Sequence, residues 1–358
     1  MYEYSHGGNA VFEYGHKHVV DLSASINPLG IPENVASAIV QDVSNIKRYP
    51  DSFSTLLREK TSAFEGIDPD CIFFANGASD IIFRLPRAVE AAKIMVCAPS
   101  FADYERSARS YGAQICRHML SKDNGFALDD GLVQAVQAEK PKLVYICNPN
   151  NPTGQLTEVA LIRAVLDVCK QIGAWVVVDE CFIDFTEHVS AYTSKALFNN
   201  YSNLIILKAF TKLFALPGIR LGYALCSDKT LIDRLYFHGA DWAVSNLAQA
   251  AGLAALDDAH VYIERTVDYV ATQRHVMIQE LTDLGYAVFG SCANYIFFKN
   301  PFPLDLRDAL NAKDIRIRSC SNFYGLDDTY YRVAVSTTEN NEKFLDAISK
   351  LREDRSHL

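Results

Sequence analysis

The sequence predicts an α/β protein with a larger domain, built on a mostly parallel sheet sandwiched by helices, and a smaller α+β domain. Three observations predict it. Between about Cys71 and Tyr223, short apolar runs of strand length alternate with helical stretches, as parallel strands joined by crossover helices require. Runs such as Ala174 to Val178 are apolar throughout, which suits strands buried on both faces. After Asp228 helical pattern dominates through Leu284, and the remainder alternates short strands (Ala293 to Lys299, Ile315 to Ser319, Tyr330 to Val335) with helices near Leu304 to Leu310 and Asn341 to Arg352.

Taken in order, the chain opens with His6-Gly7-Gly8-Asn9, a turn-forming cluster that by itself reads as a flexible leader. In Ser23 to Gly30, Asn27 precedes a proline and is held extended, so its amide either faces a ligand or belongs to an ordinary turn. A helix from about Glu33 to Val43 leads to a turn at Arg48 to Asp51 that exposes Tyr49. Cys71 to Ala75 reads as a strand entering Gly77-Ala78-Ser79, where a helix start leaves backbone N–H groups free for a phosphate. The strand Lys93 to Ala98 precedes Tyr104, which either lies over a flat heteroaromatic or packs in the core.

Leu143 to Cys147 forms a strand that ends in the rigid turn Asn148 to Gly154, with Asn151 inside it, before a helix from Thr157 to about Ile172. The next strand ends in Asp179-Glu180, and a carboxylate there is costly unless it meets a cation or a strong donor. The run Asn203 to Leu207 leads into Lys208 to Tyr223, where Lys212 follows Thr211 and precedes Arg220, with Pro217 and Gly218 turning the backbone between them. A lysine in a partly apolar pocket near other cations has a lowered pKa and attacks carbonyls to form a Schiff base. Arg332 lies on a strand, as a surface charge or as a bidentate clamp for a carboxylate.

Composition narrows the function. The chain has 358 residues, 34 basic against 43 acidic, and a net charge of −9 without a basic block, which argues against nucleic acid and anionic membrane as partners. No apolar run approaches a membrane span and no signal peptide is evident, so the expected location is cytoplasmic. Nine scattered cysteines without Cys-x-x-Cys pairs predict reduced core thiols, with no metal site.

Gly77-Ala78-Ser79, Tyr104, Asn151, Asp179 and Lys212 with Arg220 together resemble the fold-type I enzymes that use pyridoxal 5'-phosphate (PLP). The resemblance implies that Lys212 forms the Schiff base and moves protons, Asp179 pairs with the ring nitrogen, Asn151 bonds the phenolic oxygen and Tyr104 stacks on the ring. It places Ala78, Ser79, Thr211 and Arg220 on the cofactor phosphate. It also implies a homodimer in which Tyr49 reaches the neighbouring subunit's cofactor, and an Arg332 that clamps the substrate carboxylate. The expected division is an arm at 1–35 that contributes to the small domain and the site, a PLP-binding domain at 36–255 and a small domain at 256–358.

Within that class the chain is similar to the histidinol-phosphate aminotransferase branch, and inside it to threonine-phosphate decarboxylases of cobalamin biosynthesis. The residues behind this are His6 to Asn9, Ser25 to Gly30, Asp179 to Phe185, Trp242 with Ser245-Asn246, and Arg318 to Asn322. Phe182 stands where the aminotransferase usually has tyrosine. The implied activity is decarboxylation of an O-phospho amino acid, with aminotransfer as the alternative. His6, Asn27 and Arg318 are implied in recognising the substrate phosphate. Lys208 and Ala209 depart from the arginine and serine usual there, which puts one phosphate contact in doubt.

Overall fold

The computed structural model describes residues 7–8 and 19–356. Its strands are β1 (Val20–Asp21), β2 (Ile72–Ala75), β3 (Lys93–Ala98), β4 (Gln114–Met119), β5 (Leu143–Cys147), β6 (Trp175–Asp179), β7 (Leu204–Ala209) and β8 (Gly222–Leu225), followed by β9 (Ala287–Phe289), β10 (Tyr295–Lys299), β11 (Ile315–Arg316), β12 (Arg318–Ser319) and β13 (Tyr330–Ala334). β2 to β8 make one seven-stranded sheet in the order β2-β8-β7-β6-β5-β3-β4. All its pairings are parallel except those of β8, which runs antiparallel to both β2 and β7.

Strict alternation along the central strands builds two cores, one on each face. Val176 and Val178 of β6, with Leu204 and Ile206 of β7, enter one cluster, while Val177, Ile205 and Leu207 enter the other. Helices such as Val159–Gln171 and Ala78–Ala88 cover these faces with Leu166 and Val165 on one side and Ile82 and Leu85 on the other. Burying both faces explains why the strands are apolar end to end.

The order β12-β13-β10-β9 forms a second, antiparallel sheet. A third core joins it to the 25-residue helix Ala259–Asp283 through Val270, Met277 and Leu281, and to the C-terminal helix through Phe344 and Ile348. The single strand expected over Ile315 to Ser319 is two. β11 pairs in parallel with β1, whereas β12 pairs antiparallel with β13, so the chain changes sheets at Ile317. Edge strand β4 carries Gln114, Arg117 and His118 among its apolar residues, a mixed pattern that sequence reading does not single out.

A buried ion cluster lies beneath β7. The Lys208 ammonium meets Asp184 at 3.1 Å and Glu65 at 3.7 Å, and Glu65 also binds Lys195 at 2.8 Å and the Tyr223 hydroxyl at 2.6 Å. Lys208 therefore faces this cluster and not a phosphate. Burial alone would raise Glu65, but Lys208, Lys195 and Tyr223 outweigh it and hold the carboxyl down to about 2 from 4.5. A depressed carboxyl contributes stability above its unfolded value and loses it as pH falls through the folded one. Glu65→Gln is expected to cost about 1.5–3 kcal/mol at neutral pH by removing the buried charge that Tyr223, Lys195 and Lys208 share, while Lys208 keeps Asp184. It should also flatten the acid limb of a stability curve below pH 4.5, which chemical denaturation across pH would measure.

Candidate active site

Strand ends assemble a cavity of about 310 Å³ at the carboxyl edge of β5, β6 and β7, where open α/β sheets leave room for ligands. Ala78 and Ser79, Phe101 and Tyr104, Asn151, Asp179 and Phe182, and Thr211 and Lys212 form its floor and walls. Arg318 and Arg332 close it from the second sheet, Phe323 from the loop between β12 and β13, and Gly7 with Ser23 to Ser25 from the N-terminal segment.

Lys212 sits in the short helix Phe210–Leu213 directly after β7, with its Nζ 6.0 Å from the centre of the Phe182 ring. Burial and then the Arg332 guanidinium push its ammonium down to about 8, with Cys181 opposing and Arg220 adding a smaller push in the same direction. Asp179 ends β6. Its Oδ1 accepts the Cys181 backbone N–H at 3.0 Å, and its Oδ2 accepts the Tyr104 hydroxyl at 2.6 Å.

A second contact bears on the stacking role expected of Tyr104. The Tyr104 ring is buried and stacked on Tyr145, with centroids 4.7 Å apart and planes 10° apart. Phe101, one helical turn earlier, is only half-buried and also lines the cavity. Nothing in the local pattern singles out Phe101 except its i, i+3 spacing from Tyr104.

The approach of Arg220 and β8 to the start of the helix Ala78–Ala88 depends on two glycines. Gly77 has φ +82, and a Cβ there would come within 2.7 Å of the Arg220 guanidinium. A Cβ on Gly222 would lie 2.5 Å from the Ala78 nitrogen, so β8 can approach the helix start only as glycine. The helix Ala78–Ala88 has no side-chain cap at its N-terminus, which leaves first-turn N–H groups for an anion. Ser79 spends its hydroxyl proton on Asp103 at 3.0 Å, so its backbone N–H is the better donor. In the loop after Lys212, Ala215 (φ 53) and Arg220 (φ 59) both hold left-handed backbone, each costing about 1–2 kcal/mol.

Arg318 and Arg332 stand directly opposite each other on β12 and β13. Like charges in that register repel, so an anion between them would stabilise the pair. The Arg332 guanidinium donates to Asn151 Oδ1 and to the Ser23 carbonyl at 3.0 Å, and its buried Nε has no acceptor among the described residues. The buried Ser25 hydroxyl likewise has none. Burial and then Arg332 push Arg318 down to about 10, still a cation at neutral pH.

The family model described as aminotransferase class I and II matches residues 17–348. The chain belongs to this family. It is 33% identical to the threonine-phosphate decarboxylase of Salmonella typhimurium, across 97% of this chain and 96% of that protein. It is 32% identical to the histidinol-phosphate aminotransferase of Lactiplantibacillus plantarum, across 95% and 94% respectively. Among solved structures, the histidinol-phosphate aminotransferase from Clostridium acetobutylicum is similar at a TM-score of 0.86 and 31% identity, covering 93% of this chain and 99% of that one.

As in other class I and II aminotransferase family members, the cofactor is pyridoxal phosphate. The cavity fits it: a half-buried amine, a carboxylate held at a strand end, an uncapped helix start shaped by glycines, and two orphaned polar atoms whose partners a ligand can supply. An amine captures an aldehyde only as the free base, and Lys212 is the lysine that lines the cavity among the described residues. The rate at which apo-protein captures added PLP, followed by visible absorbance, should therefore rise with pH and level off above about 8. A plateau only near the ordinary lysine value of 10.5 would contradict the assignment.

The residues expected at the site are mostly brought together: Ala78, Ser79, Tyr104, Asn151, Asp179, Thr211, Lys212, Arg220, Arg318 and Arg332 line one cavity, with Gly77 behind Arg220. Asn27 is not among them. Its amide donates to the Leu213 carbonyl at 2.7 Å and to Thr266 Oγ1 at 2.8 Å, and its backbone N–H donates to the Lys212 carbonyl at 3.2 Å. With its Oδ1 accepting the Leu29 N–H, Asn27 braces the lysine helix and has no donor left for a substrate. Tyr49 is exposed and stacked on Trp242 at 4.4 Å, outside the cavity of its own chain. His6 lies outside the described residues.

Proposed function

We propose that this protein decarboxylates an O-phospho amino acid of the threonine phosphate or serine phosphate type, giving an aminoalkyl phosphate. The observation that carries this reading is the cross-strand pair Arg318 and Arg332, two guanidiniums facing the cavity that Lys212 and Arg220 also line, which suits a substrate with a carboxylate at one end and a phosphate at the other. Pyridoxal phosphate, when bound, supplies the electron sink that the reaction needs. Asp179 would pair with the ring nitrogen, Asn151 would donate to the phenolic oxygen, and the Ala78 and Ser79 N–H groups with Thr211 and Arg220 would hold the phosphate.

Arg332 binds the substrate carboxylate and sets which bond at the α-carbon stands ready to break, while Arg318 binds the distal phosphate. Phe182 and Phe323 keep water from the reacting carbon. Carbon dioxide leaves with the carboxylate carbon, and the Lys212 ammonium delivers one proton to the α-carbon in its place. Phe182 supports this reading over aminotransfer, because it contributes no hydroxyl to the wall beside Lys212. The near-equal identity to a histidinol-phosphate aminotransferase keeps that activity as the second reading.

In the same reading residues 36–255 hold the cofactor, 256–358 form the small domain, and the arm 1–35 serves both. The protein works in the cytoplasm as a homodimer. Exposed Val40, Val43, Ile46, Tyr49, Phe53 and Leu56 in one stretch, with Phe237 and Trp242, support the dimer, since such a patch is unusual on a monomer. Among the described residues no helix is long and apolar enough to cross a membrane.

Incubating holoenzyme with threonine phosphate or serine phosphate tests the activity. Equimolar carbon dioxide and aminoalkyl phosphate are expected. A 2-oxo product with the amine form of the cofactor, and no gas, would overturn the reading.

A further inference from the structure

We propose that Tyr104 is a positioning residue that acts on the cofactor's ring nitrogen through Asp179, and does not stack on the cofactor ring. The proposal rests on the reading that Asp179 faces that nitrogen. Tyr104 is 1% exposed, with its ring against Tyr145 and edge-on to Phe101 at 5.7 Å and 81°. Its hydroxyl donates to Asp179 Oδ2 at 2.6 Å within the protein interior, with the Cys147 thiol also beside it.

Asp179 is itself fixed by its strand, in register between Cys147 on β5 and Leu207 on β7. A carboxylate at a strand end can still turn about its last torsion, which is soft for aspartate. Here the Cys181 N–H holds Oδ1 and the Tyr104 hydroxyl holds Oδ2, so the plane of the group is set from both sides. Each oxygen keeps a second lone pair for another donor. The phenol stays protonated and donating, since burial and then the Asp179 carboxylate raise its pKa well above the ordinary value.

Tyr104→Phe keeps the ring and its Tyr145 stack, and removes only the hydroxyl. Asp179 then has a buried oxygen without its donor and a plane free to turn, and the nitrogen opposite loses alignment with its acceptor. The test is ¹⁵N NMR of holoenzyme reconstituted with PLP labelled at the ring nitrogen, with Asp179→Ala and Tyr145→Phe measured alongside. In Tyr104→Phe the resonance is expected to move from the protonated toward the neutral pyridine position, with Tyr145→Phe remaining at wild type. Turnover should fall about tenfold or more with KM within about threefold, the size of one lost hydrogen bond to a charged group.

A wild-type resonance in Tyr104→Phe, with a shifted one in Asp179→Ala, would overturn the role of Tyr104 alone. A wild-type resonance in Asp179→Ala would remove the pairing on which the proposal stands.

Discussion

Lys212→Ala is expected to lower turnover by about 10⁴-fold or more and to leave the purified protein without the yellow colour of bound PLP. Lys212 is the lysine among the described residues that line the cavity, and no second amine stands ready to take its place. Its lowered pKa follows from burial beside Arg332 and Arg220, so the free amine is present near neutral pH without a separate base. Absorbance of the purified variant and a carbon dioxide assay check both halves. Turnover near wild type in the variant would exclude Lys212 from the chemistry.

Arg332→Ala carries the next largest effect. The side chain is buried and joins three parts of the site, because it donates to Asn151 and to the Ser23 carbonyl while facing the cavity. Loss of a buried charged contact to a substrate carboxylate costs about 2–5 kcal/mol, or roughly 30- to several-thousand-fold in kcat/KM. Arg332→Lys keeps the charge but not the planar fork, so only a small part of the loss should return. Steady-state kinetics with a phospho amino acid, set against the same substrate lacking its carboxylate as an inhibitor, would locate the effect. Equal weakening of both ligands would argue that Arg332 holds Asn151 and not the carboxylate.

The parts of the site that the sequence discloses are those where a strand ends. β5, β6 and β7 are apolar up to a single polar residue or turn, so Asn151, Asp179 and Lys212 stand out against what precedes them. Contacts made across the sequence do not stand out. The opposition of Arg318 and Arg332 depends on the register of β12 with β13, and the division of Ile315 to Ser319 between two sheets depends on β1, far away in the chain.

Asn27 is ambiguous in the sequence for a related reason. An asparagine before proline suits a ligand site and a structural brace equally well, and only the nearness of Leu213 and Thr266 decides for the brace. Lys208 carried a usable signal, because the two-residue period of a strand puts it on the same face as Ile206, turned away from Leu207. Tyr104 and Phe101 lie one turn apart on the same helix start, and the packing of Tyr145 determines which ring is covered.

Borohydride reduction of the holoenzyme, followed by peptide mapping by mass, tests the central assignment most directly. One cofactor-bearing peptide per chain is expected, with the label on Lys212. A label on any other lysine, or none, would contradict it.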